Sequence, residues 1–199
     1  MTREELQRII DSEPYDFLRT DPHLGKHLMF LTIGGSHAYG TNVEGSDVDI
    51  RGVALNSKED LLGLGEFEHR VDTATDTTVF SFNKAAKLLC SGNPNVKPYI
   101  PCGEKRFNKI VMNVIRLYHM LFDILEKGEI NTYRGAEHDI LMQIRNGDYD
   151  YEELRKHTIP IYEARLQADK KETELPDRVD MKQVNELVMA INEQALKVV

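Results

Sequence analysis

The chain has 199 residues, 41% of them hydrophobic and 29% charged, which suits one or two small globular domains with a core that needs no disulfides. A formal net charge of −8 argues against a broad nucleic-acid footprint, because phosphate contacts need clustered Lys and Arg, but it leaves room for a local basic groove. Cys90 and Cys102 form neither a zinc spacing nor a disulfide framework. No apolar run approaches a membrane span, and the charged opening MTREELQRIIDSEP lacks the apolar core of a secretory signal, so a cytoplasmic location is expected.

Leu6, Ile9 and Ile10 mark a first helix that Pro14 ends near Glu13. His23 and His27 flank an Asp21-Pro22 turn and read as surface residues. A buried strand, Leu28–Ile33, runs into Gly34-Gly35-Ser36, where the glycines let the backbone approach a ligand closely and Ser36 can open a helix whose free N–H groups favour an anion. The next segment starts helical, turns at Glu44-Gly45 and enters a strand over Asp47–Leu55. In that strand the period of two puts Asp47, Asp49 and Arg51 on one face and Val48 and Ile50 on the other, against a core. Two carboxylates about 4 Å apart repel by roughly 4 kcal/mol at an effective dielectric near 20. A fold that accepts this repulsion usually holds a cation there or shifts one pKa strongly, and hard oxygen donors suit Mg²⁺ or Mn²⁺. Alone, the bend reads as an ordinary turn and the Asp-x-Asp as a solvated hairpin face. Together they describe a site for a nucleoside triphosphate.

Gly35-Ser36, ten intervening residues, then Asp47-Val48-Asp49 resembles the signature of the DNA polymerase β-like nucleotidyltransferase superfamily. The longer string GSHAYGTNVEGSDVDIRGV is similar to a group of mainly bacterial and phage members. The resemblance implies a third carboxylate on a later strand. Asp76, in the extended stretch Val71–Phe82, is the best match, and Asp72 has the same parity and is the substitute.

Ser57 with Asp60 forms the N-cap of a short helix, and Asn83–Ser91 reads as another, stopped by Gly92 and Pro94. Gly92-Asn93-Pro94-Asn95 runs almost directly into Val96-Lys97-Pro98-Tyr99, where the resembling group carries a longer apolar and acidic segment; either the chain is a short form or residues are missing near Asn95. Lys97, Lys105, Arg106 and Lys109 make a local basic cluster, read as a solvated loop or as a surface for RNA or a triphosphate. Residues 108–127 form the clearest helix, with Val111, Val114, Tyr118, Leu121 and Leu125 at helical spacing and Gly128 as the stop; His119 within it reads as a satisfied or exposed histidine rather than a ligand. A helix over Glu137–Arg145 ends at Asn146-Gly147, and another starts at Asp150 and ends or restarts near Pro160. Lys170–Pro176 reads as a charged linker before a helix capped by Asp180, whose buried stripe is Val184, Leu187, Val188 and Ile191.

The expected fold is α/β (α+β): a small mixed β-sheet nucleotidyltransferase core flanked by helices, then a helical C-terminal half. The expected domains are a catalytic one at 1–95 and a helical region packed on it at 96–199. The resemblance implies transfer of a nucleoside monophosphate from an NTP, ATP first, to an acceptor hydroxyl, with pyrophosphate leaving. It assigns Asp47, Asp49 and Asp76 to catalysis and to Mg²⁺ or Mn²⁺, and Gly35, Ser36, Ser46 and Arg51 to the nucleotide; Arg51 reads equally well as a structural partner of Asp49. The acceptor (tRNA, protein or small molecule) and the oligomeric state are left open. A silent nucleotide-binding sensor of the same fold and a metal-dependent phosphohydrolase are the alternatives.

Overall fold

A computed structural model describes residues 2–91 and 104–198. The junction at Asn95, the helix stop at Gly92 and Pro94, and Lys97 and Cys102 lie outside the described residues. In chain order come α1 (Arg3–Ile10), α2 (Phe17–Thr20), β1 (Leu28–Ile33), α3 (Gly35–Tyr39), β2 (Ile50–Ala54), α4 (Lys58–Leu62), β3 (His69–Asp72), β4 (Thr77–Ser81), α5 (Phe82–Ser91), α6 (Glu104–Lys127), α7 (His138–Asn146), α8 (Tyr151–Glu153), α9 (Ile159–Glu172) and α10 (Met181–Val198). This is the mixed α/β architecture expected, with helices filling the C-terminal half. Among the described residues no helix is long and apolar enough to cross a membrane.

The four strands form one mixed sheet in the order β1-β2-β4-β3. β1 and β2 are antiparallel, β2 and β4 parallel, and β3 and β4 antiparallel. The described residues gather into two compact units, one from within Met1–His37, Gly45–Asn95 and Arg178–Val199, the other from within Ala38–Glu44 and Val96–Asp177. In the first unit, Tyr15, Leu18, Leu24, Ile50, Ala54, Phe67 and Val79 make the core, with Leu6, Ile9, Ile10 and Val48 packed against it. Burying Val48 and Ile50 together fixes which way the intervening Asp49 faces.

Several expectations shift in this unit. β1 is an edge strand, so Met29 and Phe30 are exposed instead of buried. The acidic segment does not lie within a strand: β2 starts only at Ile50, and Asp47 and Asp49 precede it. Val71–Phe82 is a hairpin instead of one extended run, because Asp72 accepts hydrogen bonds from the Thr75 N–H (3.0 Å) and hydroxyl (2.9 Å) and reverses the chain there. His23 is half-buried and stacks on Phe67 at 4.7 Å, with Asp60 3.5 Å away. The predicted Ser57 cap is present, closing a capping box with Asp60 on α4, and α1 has one as well, made by Thr2 with Glu5. On α10 the inward residues are Val184, Val188, Ile191 and Ala195, and Leu187 is exposed.

In the second unit α6 packs on α7 and α9 over a core of Val111, Met112, Ile115, Leu141, Ile144 and Leu154. Gly147 ends α7 at φ +85°, the left-handed C-cap its sequence announces. Pro160 sits in the first turn of α9, where its missing N–H is harmless, and α9 runs through Lys170 to Glu172, so the predicted linker is helical at its start.

Candidate active site

The bend after β1 is pressed against the acidic segment. The Gly34 N–H donates to the Asp49 carbonyl at 2.8 Å. Gly35 has φ +58°, and a Cβ there would lie 1.7 Å from Asp49 Oδ2. Only glycine allows both this backbone conformation and this approach. The close approach that the glycines permit is therefore, in the chain itself, an approach to a carboxylate. Ser36 follows in α3 and is half-buried; the Ser46 carbonyl lies 3.2 Å from His37 Nε2, which ties α3 to the loop carrying the acidic segment.

Arg51 gathers the rest. Its Nη2 donates to Asp49 Oδ1 at 2.9 Å and to Asp76 Oδ1 at 3.3 Å. Its Nη1 donates to the Ile50 carbonyl at 2.9 Å and the Asp76 carbonyl at 2.6 Å. One guanidinium nitrogen thus joins two carboxylates that are 27 positions apart in the sequence. The parallel pairing of β2 with β4 makes this possible: Ile50 is opposite Thr77, so Asp49 and Asp76 leave neighbouring strand starts, and the Ile50 N–H donates to the Asp76 carbonyl at 3.1 Å. Asp76 itself adopts φ +44°, a left-handed conformation that aspartate tolerates better than most residues.

Of the residues named from sequence, the structure brings Gly35, Asp49, Arg51 and Asp76 together. Asp47 is exposed, two residues upstream of Asp49. Asp72 is committed to the β3–β4 turn, and the Thr75 N–H it accepts holds its carboxyl below the ordinary carboxylate range. Sequence reasoning paired Arg51 with Asp49 but missed its contact with Asp76; no local signal announces a contact made across a parallel strand pair.

The donor set is chemically suited to a hard cation, since every candidate ligand is a carboxylate oxygen. Asp49 and Asp76 already converge on a positive charge, the Arg51 guanidinium, which stands where a cation between them would sit. Among the described residues no three His, Cys, Asp or Glu side chains are gathered into a metal-binding group. The pair fits one cation; a three-carboxylate arrangement is not formed while Arg51 bridges it.

Residues 2–104, which include this whole constellation, match the model of the RNA repair pathway DNA polymerase beta family (RlaP). The chain belongs to that family. Membership in the RNA repair pathway DNA polymerase beta family places the chain among the DNA polymerase β-like nucleotidyltransferases, as the Gly-Ser and Asp-Val-Asp spacing led us to expect. No curated protein and no solved structure gave a match.

Proposed function

We propose that the chain transfers a nucleoside monophosphate from an NTP, ATP first, to an acceptor hydroxyl. In this reaction the acceptor oxygen bonds to the α-phosphorus, the bond from that phosphorus to the β-bridging oxygen breaks, and pyrophosphate leaves. The supporting observation is the convergence of Asp49 and Asp76 on one positive charge beside the Gly34-Gly35 bend, within the segment that matches the family.

Asp47, Asp49 and Asp76 are the residues that would hold Mg²⁺ or Mn²⁺, and the bound ion supplies neutralisation of the charge that builds on the phosphoryl oxygens. Asp76, exposed at the turn, takes the proton of the acceptor hydroxyl. Gly35, Ser36 and Ser46 line the bend against which the triphosphate lies. Arg51 moves its donors from Asp49 to phosphate oxygens, which a fork of five N–H groups suits. Positioning and charge stabilisation carry the rate in this chemistry, so removing one carboxylate costs far more activity than stability.

Pyrophosphate release from Mg²⁺–ATP with candidate acceptors, followed by mass spectrometry of the acceptor, tests the proposal. Asp49→Asn and Asp47→Asn should lower turnover at least 100-fold with an unchanged circular dichroism spectrum, and Asp76→Asn should fall with them because asparagine keeps the left-handed backbone. Asp72→Asn, which touches only the turn, should retain transfer. Full activity in Asp47→Asn and Asp49→Asn would overturn the assignment, and orthophosphate as the sole product would replace transfer by hydrolysis. One observation favours a second reading: a guanidinium that bridges the two carboxylates is what a silent nucleotide sensor would keep. Stabilisation by ATP without any pyrophosphate would select that reading.

A further inference from the structure

The second unit contains a cleft of about 500 Å³ lined by Val43, Lys105, Arg106, Lys109, Arg145 and Asn146. Four of these six side chains are cations, and among the described residues no carboxylate lines the cleft. That is unexpected in a chain with 33 acidic and 25 basic residues, where chance would place acids beside bases. Elsewhere in this unit five cations are ion-paired, Lys127 and Arg134 with Asp123, Arg165 with Glu126, and Arg155 and Lys156 with Glu152, while Arg116 lies over the Tyr39 ring. Lys105, Arg106 and Lys109 have no such partner among the described residues, and all three are exposed. Arg145 is half-buried and donates through Nη1 to the Thr41 carbonyl at 2.6 Å, which fixes the arm at the cleft wall and spends one of its five N–H donors on the protein.

We propose that this cleft binds the phosphate backbone of a single RNA strand. The inference rests on the transfer reading, for which it names the class of acceptor. Like charges that share a cleft without counter-charges repel, and a strand of phosphates relieves that repulsion while releasing its own condensed counterions. The cations are spread, not focused: Lys105 and Lys109 lie one turn apart on α6, about 6 Å along its axis, and Arg145 comes from the last turn of α7. Such spacing suits successive phosphates of a strand better than the compact tail of one nucleotide. Val43 gives the cleft an apolar wall, and with Asn146 it can meet a sugar or base edge without reading sequence. The RNA repair description of the family favours RNA as the strand over DNA.

The experiment is fluorescence anisotropy of a labelled 20-nucleotide single-stranded RNA of mixed sequence, in EDTA and without nucleotide, from about 50 to 200 mM salt. Three or four phosphate contacts predict a slope of log K against log salt of roughly −2 to −3. Lys105→Gln with Lys109→Gln should flatten that slope by about 1.4 and weaken binding at least tenfold, and Arg145→Gln should flatten it further. Equal slopes and affinities for wild type and the double variant would overturn the proposal, as would absence of salt-dependent binding. Displacement of the RNA by millimolar ATP would make the cleft a nucleotide site instead, and tighter binding of the same sequence as DNA would overturn the choice of strand. Pyrophosphate release that persists with a small-molecule acceptor while RNA binding is absent sinks this inference alone. RNA binding without any transfer sinks only the transfer reading.

Discussion

Gly35 and Gly45 both hold left-handed φ angles, +58° and +76°, in the stretch that joins β1 to β2. Their surroundings separate them. A Cβ on Gly35 would meet Asp49 Oδ2 at 1.7 Å, and one on Gly45 would meet nothing within 4 Å. Gly45→Ala should therefore cost only the left-handed backbone penalty of about 1–2 kcal/mol and keep transfer within a fewfold. Gly35→Ala bears the same penalty and also pushes the Asp49 carboxylate away from Arg51, so pyrophosphate release should fall by at least 100-fold. Thermal denaturation and turnover of the two variants check this; equal activity would mean that Gly35 is only a turn glycine. At this scale the sequence was informative wherever the chemistry is local. The Gly-Gly-Ser bend, the alternation of Val48 and Ile50 around Asp49, and the Ser57 cap depend on neighbours a few positions away. The Arg51–Asp76 contact spans 25 positions and depends on which strands pair.

The long helix, which starts at Glu104 and not at the expected 108, shows how an element can be predicted at its end and mistaken in orientation. Its end at Lys127 and the Gly128 stop follow from sequence, but the expected stripe of Val111, Val114, Tyr118, Leu121 and Leu125 is rotated from the buried one of Val111, Met112, Ile115 and Phe122. Val114 and Leu121 are exposed at 39% and 40%. The rotation buries charge, which hydrophobic periodicity cannot register. Arg116 lies over the Tyr39 ring at 3.7 Å, and Asp123 pairs with Arg134, whose side chain is only 3% exposed. His119 is satisfied, as expected, with its Nε2 3.1 Å from the Tyr162 hydroxyl. Hydrogen bonds from Lys127 and then Arg134 hold the Asp123 carboxyl down to about 2, from an ordinary 3.8. Because the folded value lies below the unfolded one, the stabilisation is complete above pH 4 and disappears as the pH falls towards 2. It amounts to roughly 2 kcal/mol. Asp123→Asn takes the nearest carboxylate from the buried Arg134 guanidinium, leaving it Glu137 at 3.6 Å and the Asn131 carbonyl, and should cost roughly 3 kcal/mol at neutral pH. Urea unfolding at pH 6, 4 and 2.5 should show the gap between wild type and variant closing only below pH 4. A gap that stays constant with pH would mean that the pair contributes no charge-dependent stability.

Across the whole molecule the charges are sorted. A chain of net charge −8 keeps four cations with no carboxylate beside them among the described residues in one cleft of the second unit, and it keeps its converging carboxylates at the strand starts of the first. Composition alone argued against a broad nucleic-acid surface, and that argument concerns the sum of the charges, not their placement. Lys105, Arg106 and Lys109 were visible as a run, but Arg145 joins them only because α7 packs on α6. If the two anionic ligands belong to different units, each should protect its own. At 100 times its Kd a ligand stabilises the state it binds by about 2.7 kcal/mol, so amides that exchange through opening of the bound unit should slow by up to about 100-fold. In hydrogen exchange, Mg²⁺–ATP should protect Gly34–His37, Gly45–Arg51 and the turn before Thr77, and the RNA strand should protect the start of α6 and the end of α7. Protection of α6 and α7 by Mg²⁺–ATP, with Gly34–His37 and Gly45–Arg51 unchanged, would move the triphosphate to the basic cleft and leave the carboxylates without a nucleotide to act on.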